Sequence, residues 1–87
     1  MQYIYIIKSQ KNKQLYIGCA NDFGKRVREH NNNLVESTRP YTPWKLIYCE
    51  GYFSEKEAFH REKNLKLRSN AWNQLKKRII NSIEMSD

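Results

Sequence analysis

Two strand-like runs at the start of the chain, YIYIIK (3–8) and QLYIGC (14–19), lie only a few polar residues apart. Both are rich in β-branched and aromatic residues, and so short a connection joins them as an antiparallel hairpin. Because strand side chains alternate, Ile4 and Ile6 share one face and Tyr3, Tyr5 and Ile7 share the other. In the second strand Leu15 and Ile17 take one face, and Tyr16 and Gly18 the opposite one. The simplest registration joins Ile4, Ile6, Leu15 and Ile17 in a core and stands Tyr3, Tyr5 and Tyr16 together on the other face. A hairpin alone is not stable in water, so the rest of the chain must cover it.

The segments that follow supply that cover. NDFGKRVREHNNN (21–33) predicts a helix capped by Asn21 or Asp22, with Phe23 and Val27 as its buried stripe. Arg26 and His30 lie one turn apart on the neighbouring stripe. A loop with two prolines leads to a third strand, WKLIYCEG (44–51), which Gly51 is expected to end. SEKEAFHREKNLKLR (54–68) predicts a second helix, opened by the Ser54/Glu57 capping box. Ala58, Phe59 and Leu65 form its expected apolar face, with Glu62 on the same stripe. Trp72, Leu75, Ile79 and Ile83 predict a third helix over 70–83. The expected architecture is α+β: a small three-stranded antiparallel sheet flanked by three helices, in the order β-β-α-β-α-α. Residues 1–83 make one domain and residues 84–87 a frayed terminus.

With 87 residues the chain has room for one small domain, which buries ~60–65% of its unfolded surface. An apolar fraction of 39% and both signs of charge argue against disorder. The formal net charge of +7 favours a polyanion as partner, with nucleic acid the commonest. No apolar run approaches the ~20 residues of a membrane span, and no signal-peptide pattern opens the chain. Cys19 and Cys49 form no CxxC pattern and read as reduced thiols, which points to the cytoplasm. Trp44 and Trp72 read as core aromatics, and His60 as a surface residue pointing away from Glu62.

Glu62 on a buried stripe needs a cation, a donor or a metal, and a salt bridge to a neighbouring Lys or Arg would satisfy it equally. Tyr16 at a strand and Arg26 in the next helix can share one rim of the sheet, although each also fits an ordinary half-buried or solvated position.

These residues resemble the GIY-YIG endonuclease family. The first motif stands here as Tyr3-Ile4-Tyr5 and the second as Tyr16-Ile17-Gly18, followed by the arginine of DFGKR, by EH, and by the later helix EAFHREKNLK. The match covers roughly residues 3–68 and is most similar to compact members related to the N-terminal domain of the excinuclease C subunit. The resemblance implies catalytic roles for Tyr5, Tyr16, Arg26 and His30, and a metal-holding role for Glu62. It implies one Mg²⁺ or Mn²⁺ ion as cofactor, and hydrolysis of DNA, with branched or damaged DNA and a role in repair or recombination as options. Tyr16 is the expected general base and Arg26 the phosphate ligand. Tyr5 is expected to hydrogen-bond to Tyr16 or to the attacking water, and His30 to shuttle a proton or contact phosphate. Where some members carry a lysine after the second motif this chain has Cys19, which puts assistance from that position in doubt.

Lys25, Lys63, Lys66 and Arg68 are the candidate backbone contacts, within a basic set that also includes Lys56, Arg61, Lys76, Lys77 and Arg78. Two rival readings stay open: a nucleic-acid-binding module without turnover, and a subunit of a repair complex. A protein partner supplying specificity fits any of the three.

Overall fold

The computed structural model describes residues 1–85. It contains a three-stranded antiparallel sheet of order β2-β1-β3, built from β1 (Gln2–Ser9), β2 (Leu15–Ala20) and β3 (Trp44–Tyr52). Helix α1 (Phe23–Asn31) follows β2, and α2 (Glu55–Lys66), α3 (Asn70–Arg78) and α4 (Ile80–Met85) follow β3.

β1 is the central strand, and Ile4, Tyr5, Ile6 and Ile7 are all buried. A strand buried on both faces needs cover on both. One core joins Ile4, Ile6 and Ile17 to Leu65, Trp72, Leu75 and Ile79, with Leu15 packed against it. The other joins Tyr5, Ile7 and Trp44, with Tyr16, Phe23 and Val27 against them. The facing expected from alternation therefore holds, and each face has its own helical cover. The register pairs Ile6 with Ile17, Tyr5 with Gly18 and Ile7 with Tyr16. Tyr5 and Tyr16 are thus diagonal neighbours on one face.

Local chemistry starts the helices. Asp22 caps α1 by accepting from the Lys25 amide at 3.0 Å. Ser54 caps α2 by accepting from the Glu57 amide at 3.2 Å. Between α1 and β3, Asn31 bonds both backbone groups of Trp44, accepting at 2.6 Å and donating at 2.9 Å. The Trp44 indole donates to the Thr38 carbonyl at 3.0 Å, which ties down the intervening loop.

Three expectations are corrected. β3 does not end at Gly51 but runs to Tyr52. Gly51 sits inside the strand because a Cβ there would come within 2.9 Å of the Tyr3 ring and 2.6 Å of Met1. Phe59 is 48% exposed rather than part of the apolar face. The buried stripe of α2 runs through Ala58 and Leu65, and one residue onward turns ~100° away. The helical segment expected over 70–83 is interrupted at Ile79, so α3 and α4 are separate elements. Of the residues expected to fray, Glu84 and Met85 close α4, and 86–87 lie outside the described residues.

Candidate functional site

The rim of the sheet next to β2 gathers side chains from four elements. Tyr5 comes from the central strand, and its ring lies across Gly18 on the neighbouring one. A Cβ at Gly18 would lie 2.3 Å from the Tyr5 Cζ and hydroxyl, so only glycine leaves room for the phenol. The glycine of the second motif is therefore a packing requirement of the tyrosine of the first.

Tyr5 is 1% exposed, and its hydroxyl lies 2.9 Å from His30 Nε2. Burial, then the neighbouring Tyr16 phenol, push the Tyr5 pKa up to about 12 against the pull of Arg26. Tyr16 packs beside Tyr5 in the same core, and Arg26 and Glu62 act on the buried phenol electrostatically.

His30 has no exposed surface. Its ring meets both tyrosines edge-on, with centroids 5.9 Å from Tyr5 and 5.0 Å from Tyr16. Its Nδ1 lies 2.7 Å from Thr38 Oγ1. Burial, then Arg26, lower its pKa to about 4, so the ring is neutral at physiological pH. The phosphate contact considered for His30 does not fit this burial, since the imidazole presents no accessible surface and bonds to Tyr5 and Thr38.

The charged members face outward. Arg26 pairs with Glu29 at 3.0 Å, the two side chains being 41% and 31% exposed. Glu62 pairs with Lys66 at 3.1 Å, and Lys66 Nζ lies 5.7 Å from the Tyr16 ring centroid. Because β2 is the edge strand, α2 can pack its apolar stripe on one face of the sheet while Lys66, paired with Glu62, reaches Tyr16 from the side.

Sequence reasoning did not assign Lys66 a place beside Tyr16. The four-residue spacing from Glu62 was the available signal. Thr38 carried no signal at all, since nothing local marks a loop threonine as a histidine partner.

Of the expected backbone contacts, Lys25 and Lys63 are exposed. Arg68 stacks on Trp72 at 4.5 Å and donates to the Leu15 carbonyl at 3.4 Å. Arg61, counted among the basic residues tracking a polyanion, is instead bound to Glu50 through two hydrogen bonds, at 2.9 and 3.3 Å. His60 is exposed. It lines a surface hollow of about 490 Å³ with Tyr52, Lys56, Glu57, Arg61 and Asn64, a set that includes none of the rim residues. Cys19 is half-buried, and burial followed by Glu62 raises its pKa, so it is no cationic replacement for a lysine. Both tryptophans are buried, as expected.

Residues 1–77 match the model of the GIY-YIG catalytic domain. The chain belongs to the GIY-YIG family. It is 40% identical over 67 residues to a UPF0213 protein of Clostridium perfringens, a match spanning 76% of this chain and 71% of that relative. A UPF0213 protein of Staphylococcus saprophyticus is 40% identical over 65 residues, spanning 74% of this chain and 78% of its own. The fold is similar to the solution NMR structure of a UPF0213 protein from Bacillus halodurans, with a TM-score of 0.53 at 24% identity, covering 93% of this chain and 84% of that one. For a GIY-YIG domain, membership carries the nuclease class in general. No helix among the described residues is long and apolar enough to cross a membrane.

Proposed function

We propose that this GIY-YIG domain is an endonuclease that hydrolyses DNA phosphodiester bonds with the help of one Mg²⁺ or Mn²⁺ ion. The observation that carries the reading is the link from Glu62 through Lys66 to Tyr16, which packs beside Tyr5 at the edge strand, with Arg26 on the helix that also brings in His30. Hydrolysis needs an activated water and stabilisation of added negative charge, and Tyr16, Arg26 and Glu62 match that demand.

Arg26 is assigned to the scissile phosphate, where its planar fork can hold two oxygens. Its pair with Glu29 is a half-exposed one within a single helix, of the kind worth little, so exchanging it for phosphate costs little. Tyr16 is assigned to take the proton from the attacking water, whose oxygen bonds to phosphorus as the bond to the 3′-oxygen breaks. Glu62 is assigned to hold the ion.

Among the described residues no three of His, Cys, Asp and Glu cluster to form a complete metal cage. A single hard carboxylate at a rim suits Mg²⁺, which keeps several waters and takes its other ligands from substrate phosphate. When bound, such an ion neutralises charge on the phosphate and on the leaving oxygen. Lys66 keeps the Glu62 carboxylate at the rim beforehand.

The net charge of +7 and the exposed Lys25 and Lys63 support a polyanionic substrate. We assign the activity to the cytoplasm and to DNA repair or recombination, on branched or damaged DNA. So small a domain leaves sequence specificity to a protein partner.

Plasmid relaxation with Mg²⁺ or Mn²⁺ tests the reading. Wild type should nick and Glu62→Gln should not, with DNA binding retained in both. Equal inertness of both proteins, with binding intact, would leave a DNA-binding module in place of a nuclease.

A further inference from the structure

A buried chain of hydrogen bonds runs inward from the rim. Tyr5 meets His30 Nε2 at 2.9 Å, His30 Nδ1 meets Thr38 Oγ1 at 2.7 Å, and Thr38 Oγ1 donates to the Val35 carbonyl at 3.3 Å. Tyr5, His30 and Thr38 are each at most 2% exposed, so water does not complete any of these bonds from outside. Every proton in the chain must therefore find an acceptor within it.

The bookkeeping starts at the outer end. Among the described residues, the acceptor facing the buried Tyr5 hydroxyl proton is His30 Nε2, which puts the imidazole proton on Nδ1. The Thr38 oxygen then accepts from His30 at 2.7 Å, and its own proton is free to go to the Val35 carbonyl. The inner end accommodates the tautomer that the outer end demands. The reverse tautomer, or a doubly protonated ring, leaves the Tyr5 proton buried without an acceptor, an arrangement folded proteins avoid.

We infer that Thr38 is a positioning residue of this site: it fixes His30 as the Nδ1–H tautomer, which makes Tyr5 a permanent proton donor inward. Tyr5 is then a fixed donor to His30, not a base, and Tyr16 is the phenol left to exchange protons at the rim. The depressed His30 and elevated Tyr5 pKa values agree with a chain that stays uncharged at neutral pH. Thr38 is itself anchored, since the buried Trp44 indole holds its carbonyl at 3.0 Å.

The inference deepens the proposed site, and its first test does not depend on cleavage. Two-bond ¹⁵N–¹H correlations of the His30 ring should show the Nδ1–H tautomer at neutral pH in wild type. Thr38→Val keeps the shape and removes the acceptor, so the ring should shift toward Nε2–H and cleavage should fall about tenfold. Thr38→Ser should restore both. An Nε2–H or charged His30 in wild type overturns the inference, as does a Thr38→Val variant with unchanged tautomer and unchanged cleavage. Should Thr38→Val fail to fold, the wild-type tautomer decides alone. A wild type that shows the Nδ1–H tautomer but cuts no DNA overturns the nuclease reading and leaves the relay standing.

Discussion

Two tyrosine-rich polar clusters sit on this small sheet, and they are built on opposite plans. On β3, the Glu50 carboxylate accepts from Tyr48 at 2.6 Å, from Tyr52, and from Arg61 at 2.9 and 3.3 Å. Burial pushes the Glu50 carboxyl up, but the bonds from Arg61, Tyr48 and Tyr52 together hold it below the ordinary carboxylate range. Its oxygens are fully engaged by the protein's own donors, and nothing remains to bind a ligand.

The rim beside β2 is the reverse. Its inner half, Tyr5, His30 and Thr38, is closed and uncharged. Its outer half carries Arg26 and Glu62, each in an ion pair with a neighbour on its own helix. Half-exposed pairs within one helix contribute about 0.3–0.5 kcal/mol and are readily exchanged. A closed network stabilises a fold, whereas an open one on a rigid backing offers charges to a substrate. Arginine and glutamate occur in both clusters, so residue type alone does not separate the two.

The largest expected effect breaks the comparison at the rim. Arg26→Ala should lower plasmid nicking by roughly 10²–10³-fold, as loss of a group stabilising transition-state charge does. Its urea midpoint should stay within about 0.5 kcal/mol of wild type, because the residue is half-exposed. A variant that unfolds would show Arg26 to be structural, like Arg61.

Acid should separate the two clusters by pH window. His30 ordinarily titrates near 6.5 but near 4 in the fold, so the folded state favours its neutral form. Its contribution is present above pH 6.5 and is lost as pH falls toward 4, by up to about 3 kcal/mol. Glu50 is held below its ordinary range, so its contribution is present above that range and fades only at lower pH. Urea unfolding across pH should show the first slope between about 6.5 and 4. His30→Gln should flatten that slope and leave the more acidic one.

Glu50→Ala should cost about 2 kcal/mol of stability, since it strands Arg61 and two phenols in a partly buried place. Nicking per folded molecule should be unchanged, and a loss of activity in the folded fraction would mean that the closed cluster also takes part in chemistry. The smallest effect belongs to Lys63→Ala. It should weaken DNA binding modestly and reduce the salt slope of the binding constant by about one, with no change at saturating DNA.

Much of this arrangement was legible in the chain because its causes are local. Alternation in YIYIIK and QLYIGC set which face each residue joined, and Asp22 and Ser54 marked the helix starts. The grouping of Tyr5, Tyr16, Arg26 and Glu62 was readable only through the family resemblance, and their chemical roles stand as the proposal above. What stayed hidden depends on partners distant in sequence. Glu50 gave no sign of Arg61, and His30 gave no sign of Thr38 or of complete burial. The apolar period of 70–83 carries straight through Ile79, so the interruption there left no trace in hydrophobicity. Phe59 looked buried by composition, but its helix phase turns it outward.

The central claim is that residues from β2, α1 and α2 form one cation-and-phosphate site at the edge strand. Substoichiometric Mn²⁺ added to isotope-labelled protein tests it directly, because signals near the bound ion broaden. The account expects broadening centred on Glu62 and reaching Tyr16, Cys19 and Arg26, abolished by Glu62→Gln, with Glu50 and its partners untouched. Broadening centred on Glu50 or Asp22, or none that Glu62→Gln removes, would contradict it.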